Sequence, residues 1–347
     1  MTRECYKTSF RVRSLRGNAF ALILYLCMGF LIVGFARTGS ADIWDSPSFQ
    51  HYSRAATLFN EGKFNESRSA LKKSIAEYPQ NVPALYLLGE VELQLGHGKE
   101  ALAAFLEVQK QYPRWTAVSL KVAYLYLNTE QLDRAQDAYR KVIKKQPKNR
   151  DALKGLAYVL IKQGKETQGL VYLEQAFELN PEDTDVVLML ADIYERNKEP
   201  QKGEVLLNKG FQLTGDMRLG RRLALSMFNR KAYEKASPLF KKLLSSDTAD
   251  PEIYYCLGVI RRTQGKDTEA LGYLQKAVSL SPHYYEASYN LGILYLEAKD
   301  SEKAIACFKA CTQIRPKAKE AFKQLGMIYE TYLLDMEKAN FYYEQIK

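Results

Sequence analysis

Six prolines set the frame. Pro79, Pro113, Pro147 and Pro181 follow one another at intervals of 34 residues, and Pro282 and Pro316 repeat that interval. The 101 residues from Pro181 to Pro282 are three such periods less one residue. A fixed period near 34 means a stacked array of helix–turn–helix units, each burying one face against its neighbours. Phased on the prolines, the chain divides into nine units: 48–81, 82–115, 116–149, 150–183, 184–216, 217–250, 251–284, 285–318 and 319–347. A short linker, 42–47, precedes them.

Side-chain size follows the same phase. The eighth residues are Ala55, Gly89, Ala123, Ala157, Ala191, Ala224, Gly258, Gly292 and Gly326. The twentieth are also small, from Ser67 and Ala101 to Ala304, with Ala339 one place late. Such residues belong where two helix axes cross closely. The twenty-fourth residues are large (Leu71, Phe105, Tyr139, Leu173, Leu207, Phe240, Leu274 and Phe308) and fill the space between layers. The pattern slips in three places. Unit five is one residue short, ends in Gly215 and carries Pro200; unit six has Thr248 where others have proline; unit nine holds an extra residue near Leu334-Asp335. The segment 197–222 is the predicted junction.

The unit 285–318, with Leu291-Gly292, Tyr295, Ala304, Phe308 and Pro316, resembles the tetratricopeptide repeat (TPR). So does 251–284, with Leu257-Gly258, Ala270, Leu274, Ala277 and Pro282. The resemblance covers 48–347 and implies an all-α, right-handed superhelical solenoid of about nine units. It also implies a concave groove lined by the second, fifth, ninth and twelfth residues of each unit's first helix. Units one to four then contribute Phe49, Tyr52, Phe59, Tyr86, Leu93, Leu120, Tyr124, Leu127, Tyr158 and Ile161, among Glu90, Asp151 and Lys154. Unit five is acidic, with Asp185, Asp192 and Glu195, and unit six basic, with Arg218 and Arg221 beside Arg222. Units seven to nine give Tyr255, Arg262, Tyr289, Ile293 and Leu296, edged by Glu252, Glu286, Glu320 and Glu330.

An aromatic groove with a few charges suits an extended peptide or an amphipathic helix. The expected function is therefore a non-catalytic scaffold or adaptor that binds protein or peptide partners, chiefly through units one to four. A glycan strand would also use stacked rings and carboxylates, so an envelope glycan-handling role stays open, as does a membrane-anchored receptor with a cytosolic array. The lysine–asparagine clamp with which some TPR proteins hold chaperone tails is missing: Tyr158 follows Lys154 at the clamp spacing, and Glu286 and Glu320 surround Asn290.

Net charge is +10, yet half of it lies in residues 1–41, where Arg3, Lys7, Arg11, Arg13, Arg16 and Arg37 face only Glu4. The basic stretch is followed by an uncharged apolar run, 19–36, and the small triplet Gly39-Ser40-Ala41. That order describes a signal peptide cleaved after Ala41, or an N-terminal membrane anchor of just sufficient length. Either places the array across the membrane, in the periplasm or facing it from the inner membrane, in service of an envelope complex.

The nearly neutral body argues against nucleic acid as a partner, despite the basic runs 218–222, Arg230-Lys231 and Arg261-Arg262. No catalytic, cofactor or metal set is expected. His51, His97 and His283 lie in separate units without ligand spacing, no phosphate-binding glycine loop occurs, and His97 reads as a solvated turn residue. The body's cysteines, Cys256, Cys307 and Cys311, are odd in number and read as packing residues.

Overall fold

The computed structural model describes residues 46–245 and 249–346. The leader predicted at 1–41 lies outside them. No helix among the described residues is long and apolar enough to cross a membrane. The described residues form eighteen α-helices and no strand, in two compact units divided after Asn197. The division falls at the start of the segment 197–222, where the sequence period slips.

The first unit comprises α1 (Pro47–Asn60), α2 (Phe64–Glu77), α3 (Val82–Gln94), α4 (Gly98–Gln111), α5 (Thr116–Asn128), α6 (Leu132–Lys145), α7 (Arg150–Lys162), α8 (Glu166–Leu179) and α9 (Thr184–Arg196). The second comprises α10 (Pro200–Thr214), α11 (Met217–Asn229), α12 (Tyr233–Leu244), α13 (Pro251–Thr263), α14 (Asp267–Leu280), α15 (Tyr285–Glu297), α16 (Ser301–Ile314), α17 (Lys319–Thr331) and α18 (Met336–Glu344). Within each unit, antiparallel helical hairpins stack in chain order, an all-α solenoid arrangement.

Two local devices generate this order. The periodic prolines force the preceding residue out of the helical region. Tyr78, Tyr112, Gln146, Asn180, Ser281 and Arg315 accordingly take φ between −125° and −153° and end their helices. Where proline is missing after α10, Gly215 stops the helix at φ 67°. Inside each hairpin the turn uses one left-handed residue: Gly62, Gly96, Glu130 and Gly164 in the first unit, Lys231, Gly265, Lys299 and Leu334 in the second. At Gly62 two hydrogen bonds close the turn, Gly62 N to Phe59 O at 3.0 Å and Lys63 N to Leu58 O at 2.9 Å.

Leu334 is one of four non-glycine members of this set. Its φ of 56° brings Cβ close to the following carbonyl, and 81% of its surface is exposed, so packing returns little. Leu334→Gly is expected to stabilise the second unit by about 0.5–1 kcal/mol, read as a higher urea midpoint. An unchanged or lower midpoint would show that the turn bears no strain.

The core repeats the size pattern. The small eighth residue faces the large twenty-fourth: a Cβ on Gly89 would lie 2.6 Å from Phe105, and one on Gly258 would lie 2.7 Å from Leu274. In the last hairpin Tyr343 fills the same space over Gly326. Tyr139 departs from this scheme, since its ring reaches Gly155 of the following hairpin.

Candidate functional site

The fifth residue of a first helix lies beside the residue that precedes the next first helix, 29 positions later. Lys154 Nζ donates to Asp183 Oδ2 at 3.0 Å. Arg221 Nε lies 3.0 Å from Asp250 Oδ2, and the same guanidinium bonds Glu252. Tyr86 stacks on Trp115, ring centroids 5.1 Å apart and planes 11° from parallel. Tyr255 lies 5.2 Å from Tyr284. Asp183 and Asp250 also cap their helices, each accepting backbone N–H bonds. Trp115 and Tyr284 make no side-chain cap; their rings serve the lateral contact instead.

In the first unit the Tyr86–Trp115 stack continues into a charged pair. Lys121 Nζ lies 2.8 Å from Glu90 Oε1 and 5.9 Å over the Tyr86 ring. Tyr86 and Tyr124 are half-buried against one core layer, and Tyr158 against the next, with Lys162 Nζ 5.6 Å over its ring. Burial raises the Tyr158 phenol above its ordinary range. Phe49 and Tyr52 adjoin each other at 6.1 Å, while Phe59 meets Phe64 edge-on at 5.6 Å inside the first hairpin. These residues form a row across successive layers.

Three groove expectations do not hold. Leu127 is 2% exposed and fills the core with Ala123, Tyr139 and Leu156. Leu296 is buried beside Phe308, and Lys154 is buried in its pair with Asp183. At Leu127 and Leu296 the twelfth helical position points into the layer, and at Lys154 the fifth points toward the following cap.

In the second unit five arginines of the expected basic patch are paired with carboxylates. Arg218 turns back to its own cap, Asp216, at 2.8 Å, while Arg221 bonds Asp250 and Glu252. Arg230 meets the buried Glu204 at 2.7 Å, Arg261 meets Glu269 at 2.9 Å, and Arg262 meets Glu297 at 2.7 Å. Tyr255 is half-buried, and desolvation raises its phenol. Tyr289 stacks on Tyr285 at 6.0 Å and meets Phe308 edge-on at 5.5 Å. Arg315 covers Tyr285 at 4.2 Å and bonds Glu286 at 2.6 Å. Burial pushes Tyr285 up to about 12.

The remaining polar groups serve the fold. His97 is exposed in its turn, as the sequence suggests, and its Nδ1 lies 2.7 Å from the buried carboxylate of Glu92. Burial pushes the Cys307 thiol to about 11 and Cys311 to about 12, so neither is a ready nucleophile at neutral pH. No group of three or more His, Cys, Asp or Glu among the described residues is placed to hold a metal ion.

Trp115, Lys121, Tyr284 and Arg315 were not among the expected groove residues. For Trp115, Tyr284 and Arg315 the signal lies in complementary residues 29 apart, Tyr86 with Trp115, Tyr255 with Tyr284 and Glu286 with Arg315, as for Lys154 with Asp183 and Arg221 with Asp250; Lys121 meets Glu90 at a spacing of 31 instead.

Comparison with known proteins agrees with this architecture. Tetratricopeptide repeat family profiles match residues 58–123 and 261–325, and 120–170 and 222–285. The chain belongs to the tetratricopeptide repeat family, whose arrays bind protein or peptide partners. It is 25% identical over 281 residues to Protein CTR9 homolog of Arabidopsis thaliana, covering 78% of this chain and 26% of that protein. It is 22% identical over 312 residues to the BBSome complex member BBS4 homolog of Drosophila melanogaster, covering 85% of this chain and 63% of that protein. The chain thus spans less than two thirds of either relative. A crystal structure of a tetratricopeptide repeat protein from Parabacteroides merdae ATCC 43184 superposes with a TM-score of 0.50 at 17% identity, over 72% of this chain and 98% of that one, a likeness of fold.

Proposed function

We propose that the chain is an adaptor that holds a segment of a protein partner against the first-helix face of its first unit. The observation that carries this is the Tyr86–Trp115 stack bordered by the Lys121–Glu90 pair. Trp115 takes a helix-cap position without capping, which spends that site on an aromatic surface. Rigid rings beside a placed charge pair are the composition of interface anchors. The relative named a BBSome complex member supports service in an assembly. The basic segment, apolar run and small triplet of 1–41 support action beyond a membrane, at an envelope complex.

Site-specific photo-crosslinking in native cells tests this. A benzophenone residue at position 124 should trap one protein species, and the same residue at position 171, on α8, should not. Equal trapping at both positions, or none at 124, defeats the proposal. Fractionation of the same cells tests the location, and accumulation of full-length protein in the cytosol defeats that part.

A further inference from the structure

We propose that the cleft between α4 and α6, floored by α5, is a separate docking site for an acidic peptide segment that carries an apolar side chain. The cleft encloses about 660 Å³. Thr116, Ser119, Val122 and Tyr126 of α5 line it, recurring at three- and four-residue steps on one side of the helix. At 100° per residue, Lys121 and Tyr124 lie on the opposite side, so this cleft and the ring row use different faces of α5.

Its lining charge is unbalanced. Some lysines and arginines elsewhere in the unit are matched by carboxylates, as Lys121 is by Glu90, Lys154 by Asp183 and Arg196 by Glu166. The cleft is lined by Lys110, Arg134, Lys141 and Lys145 against a single carboxylate, Asp137. Among the described residues Lys110 and Lys141 make no ion pair. Lys145 Nζ donates to the Pro113 carbonyl at 3.1 Å, and Arg134 donates to Gln131 Oε1 at 2.9 Å with its guanidinium 5.9 Å over Tyr126. Neither bond neutralises a charge. Positive potential gathered in a walled depression attracts an anionic ligand.

The layout selects a peptide. Arg134, Lys141 and Lys145 are strung along α6, and at 1.5 Å per residue the first and last stand about 16 Å apart. An extended peptide covers that length with about five residues. Leu106, Ala138 and the Tyr126 ring, backed by the buried Val122 and Val142, give the depression an apolar wall between the cations, which takes a side chain such as leucine and offers nothing to a phosphate.

The test uses the purified full-length chain and a short fluorescein-labelled peptide of alternating glutamate and leucine, followed by fluorescence anisotropy. Binding should weaken with salt and fall at least about tenfold in the double variant Lys141→Glu, Lys145→Glu. A version with glutamine for glutamate should bind at least about tenfold more weakly. Trp115→Asn should leave this binding unchanged, which separates the cleft from the ring row. Both lysines are exposed, so the helical circular dichroism should survive; if reversal disturbs it, Lys141→Gln, Lys145→Gln replaces it with the same expected direction. Equal binding by either lysine variant or by the glutamine peptide overturns the proposal. So does tighter, competing capture of a single-stranded RNA oligomer through the same lysines, which would make the cleft a nucleic-acid site.

Discussion

Gly155→Ala should lower the stability of the first unit by about 2 kcal/mol. A Cβ at this position would stand 2.3 Å from Tyr139 Cζ and 2.4 Å from its Cε1. Tyr139 is 1% exposed, so its ring has nowhere to move without displacing Ala123, Leu156 or Leu160. Urea unfolding followed by circular dichroism reads the loss. Combining the change with Tyr139→Leu should recover at least about 1 kcal/mol relative to the sum of the single effects, because the two positions share one space. Additive losses would mean that the ring yields and the contact is loose. The Tyr139 hydroxyl is buried without a hydrogen-bond partner, and burial pushes its phenol far up. Tyr139→Phe should therefore be neutral or slightly stabilising.

Trp115→Asn should reduce partner capture by about 30- to 100-fold while the fold stands. Asparagine occupies the equivalent cap at Asn81 and Asn149, where its side chain accepts the N–H of Ala84 and Ala152. The substitution thus supplies a cap worth about 1 kcal/mol and removes a stack worth about 0.5–1.5 kcal/mol beyond its area burial, together with the half-buried ring's packing on the core layer of Phe105 and Val118. The net loss in unfolding free energy should stay within about 3 kcal/mol. Co-purification from native cells reads the binding, and the urea midpoint reads the fold. Retained capture would move the partner away from the ring row. A collapse of stability would show that Trp115 is chiefly a structural residue.

The hairpin stack was legible because proline and side-chain volume act locally. Proline dictates the conformation of its neighbour whatever surrounds it, so Pro79 and Pro113 mark helix ends directly. Small residues opposite large ones, as Gly89 opposite Phe105, report a contact inside one hairpin. The Tyr139–Gly155 contact was hidden because it joins adjacent hairpins and uses a glycine two places from the expected small position. The groove was legible only in part for the same reason. A helical register says which side a residue takes, and the partner it meets there is set by the next hairpin. Arg221 looks like a ligand-binding cation in sequence, but Asp250 and Glu252 claim it. Leu127 has a groove register, yet the following layer covers it.

The 29-residue pairs also define where this chain can be cut and copied. A cassette that starts at the first residue of a first helix and ends at the next cap contains both members of its pair. Residues 150–183 hold Lys154 together with Asp183, and 82–115 hold Tyr86 together with Trp115. Excising 150–183 would join Asn149 to Thr184, so an asparagine cap would again precede a first helix. A cut inside a hairpin would strand a lysine or a ring without its counterpart. Lengthening and shortening by whole cassettes is therefore the route of variation that keeps every 29-residue pair together, while contacts that cross a cassette boundary, such as Arg196 with Glu166, must find a new counterpart.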